Sequence, residues 1–240
     1  MNQNLQEQIR NNFDKVVRRV SIAARSVNRD PNEIKIVVVT KAHPLSVIDA
    51  AVNAGIKNIG ENYVGEAVEK ITNFEDEDVT WHMIGHIQSR KARIVSEYFD
   101  YVHSVDRVKL ARKLNQAMEQ RAGTLPILLE CNVSGETSKH GFPAWREDRW
   151  GNLDPEIEEI TELPRLRIMG LMTIPPWDPD PEKSRLYYKR LVRLQENVST
   201  RFPSSNWNEL SMGMSNDFEV AIECGSNVIR VGRAIFGPRQ

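Results

Sequence analysis

A lysine that stands on an apolar stem at the mouth of a cavity gives up its proton more easily than one in water. It can then attack an aldehyde to form an imine. Lys41 has the context for this chemistry. It follows Ile36-Val-Val-Val39, four β-branched residues that read as a strand buried on both faces. Side chains alternate along a strand, so Lys41 shares a face with Val37 and Val39. Pro44 follows where a helix can begin. Taken alone, the pattern equally suits a lysine that closes a strand and reaches to water.

Two later stretches have anion-binding chemistry. In Leu210-Ser-Met-Gly-Met-Ser215, the hydroxyls of Ser211 and Ser215 flank a glycine ahead of a helical segment. In Arg230-Val-Gly-Arg-Ala-Ile-Phe-Gly237, Gly232 lets backbone approach a ligand, and the amides that follow, from Arg233 on, open a short helix. Arg230 shares a face with Gly232. A buried guanidinium keeps its proton and needs an acceptor, either a heteroaromatic nitrogen, a ligand carboxylate, or Glu130 in an ion pair. A lysine at one strand end, a phosphate cradle opposite and an arginine between them describe a site for pyridoxal 5′-phosphate (PLP).

These groups meet only if parallel strands bring them together. Helical spacing of apolar residues predicts a first helix over 4–27. Strands are then expected over 34–40, 57–60, 79–84, 101–104, 126–133, 166–172, 209–211 and 228–231. Between them, helices are expected over 45–54, 64–72, 88–97, 106–121, 155–162, 181–201 and 217–224, with Asp106 capping the fourth. This rhythm predicts an α/β fold, a single (β/α)8 barrel domain over 1–240 with an extra N-terminal helix. An open doubly wound sheet would want a glycine-rich turn after the first strand, and Lys-Ala-His-Pro has none. In a barrel the strand ends hold the site. They are Lys41, Glu61 and Asn62, His82 to His86, Asn132 and Ser134, Met172 and Thr173, Ser211, and Arg230 with Gly232 and Arg233.

Bulk properties exclude other classes. The 240 residues balance 32 basic against 33 acidic side chains, so no global field points to nucleic acid or a membrane surface. Cys131 and Cys224 lack metal-ligand spacing and read as reduced thiols of a cytoplasmic protein. The polar N-terminus has no signal-peptide core, and no apolar run approaches spanning length. His82 and His86 would share a helix face, but they fall at a strand end, so no metal site is expected.

The chain also resembles the pyridoxal phosphate homeostasis proteins. The matching stretches include Val38-Val-Thr-Lys41, Gly60-Glu-Asn-Tyr-Val-Gly-Glu-Ala67, Trp81-His-Met-Ile-Gly85, His103-Ser-Val-Asp-Arg107 and Ser138-Lys-His-Gly141. Gly170-Leu-Met-Thr173, Leu210-Ser-Met-Gly-Met-Ser-Asn-Asp217 and the stretch from Arg230 to Gly237 continue the match in order. The resemblance implies a barrel like the N-terminal domain of alanine racemase and a cofactor imine on Lys41. It also implies phosphate contacts from Ser211, Gly232 and position 233, and a role in keeping free cofactor scarce yet available. Position 233 is often a small hydroxyl residue in that family and is Arg233 here. Two loops, 142–153 and 175–181, are elaborated, and Trp145, Trp150 and Trp177 are expected to wall the pocket in part.

Two functions suit such a site. A carrier would hold PLP and release it to apo-enzymes, acting as a monomer. A PLP-dependent amino-acid racemase needs an acid/base group on each face of the substrate. Alanine racemases take the second from a tyrosine of a C-terminal domain, which is expected to be absent here. No spacing among Tyr63, His43, His82, His86 and His140 supplies an obvious substitute. The expected site is therefore Lys41, Asn62, His82, Ser211, Ser215, Arg230, Gly232 and Arg233, with no catalytic residue and the carrier reading preferred.

Overall fold

The β-branched runs form the strands that their pattern predicts. A computed structural model describes residues 2–74 and 78–237, with side chains from residue 4. The strands are β1 (Lys35–Val39), β2 (Asn58–Glu61), β3 (Thr80–Met83), β4 (Tyr101–Val105), β5 (Leu125–Asn132), β6 (Phe142–Pro143), β7 (Leu166–Met172), β8 (Glu209–Ser211) and β9 (Val228–Val231). Among the described residues all neighbours pair in parallel. The order β4-β3-β2-β1-β9-β8-β7-β5 closes through a β4–β5 pairing into an eight-stranded barrel. The two-residue β6 lies outside this ring and pairs with the end of β5.

Helices cover the outside. They are α1 (Asn2–Ser26), α2 (Leu45–Asn53), α3 (Val64–Thr72), α4 (Ala92–Tyr98), α5 (Val108–Met118), α6 (Asp154–Thr161), α7 (Arg185–Arg201), α8 (Phe218–Glu223) and α9 (Arg233–Phe236). The main apolar core fills the layer between strands and helices, and Val38, Ile59, Val102, Leu129, Leu210 and Ile229 all point into it. α1 packs on α2, α8 and α9, burying Ile9, Val16, Val20 and Ala24. It thus braces the helices beside β1 and β9, the strands that present Lys41 and Arg230. No helix among the described residues is long and apolar enough to cross a membrane.

Inside the barrel the alternation holds. Val37 and Val39 cluster with Ile84 and Val228. Tyr101, Leu128 and Met172 form a second small cluster. The remaining interior is polar. At the N-terminal end of the barrel, Lys35 Nζ donates to Glu209 Oε1 at 3.1 Å and the Tyr101 hydroxyl donates to Glu209 Oε2 at 2.8 Å.

Several boundaries differ from expectation. The third and sixth helices each begin as a 3-10 turn, at Ser89–Lys91 and Pro181–Ser184. Asp106 does not cap the following helix. Arg107 holds the cap position without a side-chain bond, because the Asp106 carboxylate is taken by Arg107 and by His86 Nδ1. That helix also stops at Met118, and Arg121 instead donates to the carbonyls of Ser96 and Phe99 at 2.7 and 3.3 Å.

Candidate functional site

Lys41 sits one residue beyond the end of β1 chain hydrogen bonding, in a tightly held turn. The Thr40 N–H donates to Gly60 O at 3.0 Å, which continues the sheet. Its hydroxyl donates to Glu61 Oε1 at 2.6 Å, and its carbonyl accepts from Lys70 Nζ at 2.9 Å. Lys70 Nζ also donates to Glu61 Oε1 and Glu66 Oε1, both at 2.6 Å. Glu66 Oε1 in turn accepts the N–H of Ala42, whose φ of +62° turns the chain sharply after Lys41. Burial raises the Glu61 pKa, opposed by the bonds from Lys70 and Thr40. This buried group clamps the backbone on both sides of Lys41.

Arg230 is fixed from below. Both hydrogens of its Nη1 go to Ser211, to the carbonyl at 2.7 Å and the hydroxyl at 2.6 Å. Nη2 donates to Thr173 O at 2.9 Å. Among the described residues, two of its five donors, one on Nη2 and one on Nε, have no such partner. It does not form the ion pair with Glu130, whose field only opposes the lowering of the Arg230 pKa by burial. The Glu130 carboxyl itself is pushed up to about 7 by desolvation and by nearby Asp106.

Below Arg230 a chain of hydrogen bonds crosses the barrel interior. Ser211 Oγ meets His103 Nδ1 at 2.9 Å, and His103 Nε2 meets His82 Nδ1 at 2.9 Å. His82 Nε2 then meets Asn58 Oδ1 at 3.1 Å. Burial lowers the His82 pKa to about 3 and that of His103 well below its usual value, so both rings are neutral. Neutral rings and an acceptor at Asn58 leave one consistent assignment. Each proton points away from Arg230, from Ser211 to His103 to His82 to Asn58.

The pH dependence follows. A histidine with a depressed folded pKa binds its proton only on unfolding, so its contribution is complete above about pH 6.5 and drains away toward pH 3. The slope is about 1.4 kcal/mol per pH unit for each histidine. Glu130, raised to about 7, runs the other way. Denaturant unfolding measured from pH 7 to 4 should show a shallower loss in His82→Gln than in the parent chain, and equal slopes would count against neutral buried rings.

Lys41, Arg230, Ser215, Gly232 and Arg233 line one cavity of about 500 Å³, with His43 and Trp177. Ser215 Oγ accepts from the N–H groups of Gly232 and Ala234 at 3.2 and 3.3 Å, which ties the β8 and β9 loops together. A Cβ on Gly232 would sit 3.2 Å from Val39 O, a tight contact, so the glycine eases the approach of β9 to β1 beside Lys41.

The other sequence expectations are placed differently. Ser211 and His82 are sealed in the barrel, at 0% and 1% exposure, as members of the chain beneath Arg230. Neither lines the cavity, because their strand positions face the interior below the rim. Asn62 lies at the rim after β2, with its buried Oδ1 lacking a partner among the described residues, and it also stays outside the cavity lining. Asn132 organises its own loop, accepting from the N–H groups of Ser134 and Gly135. Of the three tryptophans only Trp177 walls the cavity. Trp150 is buried with its Nε1 donating to Ala144 O at 3.0 Å, and Trp145 packs over Gly135. Arg233 is exposed at the cavity edge.

The profile of the alanine racemase N-terminal domain family matches residues 7–240. The pyridoxal phosphate homeostasis protein of Escherichia coli (strain K12) is 39% identical over 237 residues, 97% of this chain and 97% of that one. That of Pseudomonas aeruginosa is 40% identical over 237 residues, 97% and 96% of the two chains. The chain belongs to the pyridoxal phosphate homeostasis protein family. PipY of Synechococcus elongatus, in a structure with PLP bound, superposes with a TM-score of 0.81 at 29% identity, covering 95% of this chain and 100% of that one. An alanine racemase from Streptomyces coelicolor aligns with a TM-score of 0.70 at 16% identity over 98% of this chain and 59% of that one, a likeness of fold alone.

In this pyridoxal phosphate homeostasis family member, two groups escaped the reading of residue types. One is the clamp of Thr40, Glu66 and Lys70. Its trace is the i,i+4 spacing of Glu66 and Lys70, which by itself suits a solvated helix face. The other is His103, an interior residue in the middle of a strand with nothing local to mark it.

Proposed function

We propose that this chain holds pyridoxal 5′-phosphate reversibly and passes it to proteins that require it. The observation that carries the reading is a convergence. A primary amine, a buried guanidinium and the hydroxyl-linked loops after β8 and β9 line one cavity of about 500 Å³, a size suited to a small cofactor. The residues fit the group. When bound, PLP supplies an aldehyde that condenses reversibly with a primary amine. Lys41 offers that amine from a clamped turn. Arg230 presents a cation that discourages protonation of a ring nitrogen placed against it. Ser215, Gly232 and Arg233 offer a hydroxyl, backbone and positive charge to a phosphate. The named roles of the Escherichia coli and Pseudomonas relatives and the PLP bound to PipY support the same reading.

A carrier suits the lining better than an enzyme does. Among the described residues the cavity wall includes no tyrosine, and His43 is the one imidazole on it. His43 is stacked at a tilt against Phe236, with centroids 4.6 Å apart. The reading extends to action as a monomer, to apo-enzymes as recipients and to a reducing cytoplasm, which suits the free thiols of Cys131 and Cys224.

The test is direct. The protein is loaded with PLP, reduced with borohydride, digested and mapped. One label per chain on the Lys41 peptide is expected, and a label on another lysine sinks the assignment. Incubation with L-amino acids in deuterated water separates the classes. Catalytic exchange at the α-position would make the chain a racemase-type enzyme.

A further inference from the structure

We propose that His86, Asp106 and His140 form a binding site for a divalent transition-metal ion of the zinc, cobalt or nickel class. The site lies on the barrel rim over β3, β4 and β5 and stands independently of the cofactor reading. The three residues are far apart in sequence, and each offers one donor atom within 4.8 Å of the others. His86 Nδ1 and Asp106 Oδ2 are 3.1 Å apart. Two donors on a shared tetrahedral ion, with bonds of about 2.0–2.2 Å, lie roughly 3.3 Å apart.

The backbone under both histidines has little room to drift. Gly85 precedes His86, and a Cβ there would lie 2.3 Å from Asn62 O. Gly141 follows His140 with φ of +113°, and its Cβ would lie 2.7 Å from both Glu130 O and Asn132 N. The Cys131–Phe142 pairing of β5 with β6 straps the same loop down. The backbone positions of both histidines are thus set by the fold, which leaves their side chains as the parts that adjust to an ion.

Asp106 is oriented as metal-binding carboxylates are. Its Oδ1 is taken by Arg107 Nη1, and Arg107 Nη2 is itself anchored on Ile87 O at 2.8 Å and Ser89 Oγ at 3.0 Å. Oδ2 is thereby turned toward His86, an arrangement of outer groups that fixes a ligand. The Arg107 cation opposes a second cation. That weighs against calcium and magnesium, which are held by oxygen and charge, and favours ions with a strong preference for imidazole. The His86 and His140 rings are stacked, with centroids 3.8 Å apart and planes 20° apart. Stacked rings aim their in-plane nitrogens side by side, so the exposed His140 ring must turn about its side-chain torsions before both nitrogens point at one ion. Binding replaces the proton on the His86 nitrogen that faces the carboxylate, and that proton leaves to solvent. Three protein donors leave a coordination position for water or another oxygen ligand.

The full chain, stripped with EDTA and free of PLP, is titrated with Zn²⁺ by calorimetry and with Co²⁺ by visible absorption. One ion per chain is expected, with the comparatively intense visible d–d bands of four-coordinate cobalt and no thiolate charge-transfer band. His86→Ala, His140→Ala and Asp106→Asn should each weaken binding by about tenfold or more. Cys224→Ala should bind as the parent does. Zn²⁺ should raise the melting temperature of the parent and not that of either histidine variant. In EDTA the two histidine variants should melt with the parent, and His140→Gln should show the same loss of affinity where His140→Ala perturbs its loop. The proposal is overturned by the absence of a saturable site in the parent, by unchanged affinity in both histidine variants, or by a thiolate band.

Discussion

Lys70→Met is expected to lose about 3–5 kcal/mol of unfolding free energy, because it removes one partner of a buried ion pair and leaves the other charged and dry. Lys70 is 7% exposed and Glu61 is 0% exposed. The lost ammonium makes three bonds, to Thr40 O at 2.9 Å and to Glu61 and Glu66 at 2.6 Å each. Glu61 already has its pKa raised by burial, and Lys70 is the first group opposing that rise. In the variant the rise goes further. A carboxyl with a raised folded pKa contributes stability below its unfolded pKa and loses it as pH climbs through the folded value. Lys70→Met should therefore be least impaired in mild acid and worst at pH 8. Denaturant midpoints across that range check it. The double change Glu61→Gln with Lys70→Met should recover part of the loss, since neither partner is then left as an uncompensated charge. A variant as stable as the parent at pH 8 would remove the clamp from the account of Lys41.

Lys41→Ala is expected to lose borohydride fixation of PLP completely while the fold stays within about 1 kcal/mol of the parent. The side chain is partly exposed at the cavity wall, so little packing is removed. Lys41→Arg sharpens the result. It keeps a long cationic side chain, but a guanidinium stays protonated and does not condense with the aldehyde. Both variants should give the same blank peptide map, and equilibrium dialysis should find only the weaker non-covalent binding that Arg230 and Ser215 can supply. A fixed label in Lys41→Arg would mean that another amine takes the aldehyde.

Periodicity needs only neighbouring residues, so the barrel was legible along the chain. The run Ile36 to Val39 reads as β1 and the apolar spacing of 64–72 as α3, because burial on two faces or on one stripe leaves a local record. Lys41, Ser215, Arg230 and Gly232 were legible for the same reason, as polar or bare residues at strand ends in a fold whose strand ends converge. What a side chain does across the barrel leaves no such record. His82 and Ser211 looked like rim residues, and the closed sheet turned them inward to line up with His103 beneath Arg230. Lys70 leaves only an i,i+4 spacing with Glu66 in the sequence, and the fold sets it against Thr40 and Glu61 as the clamp on the Lys41 turn. Asp106 looked like a helix cap, and the adjacent loops gave it to His86 and Arg107. Sequence alone determined the eight barrel strands, their ends and the chemical types gathered there. Tertiary structure decided which of those groups face the cavity and which are spent on one another, because partners 21 and 108 residues apart are chosen by closure of the barrel and not by spacing along the chain.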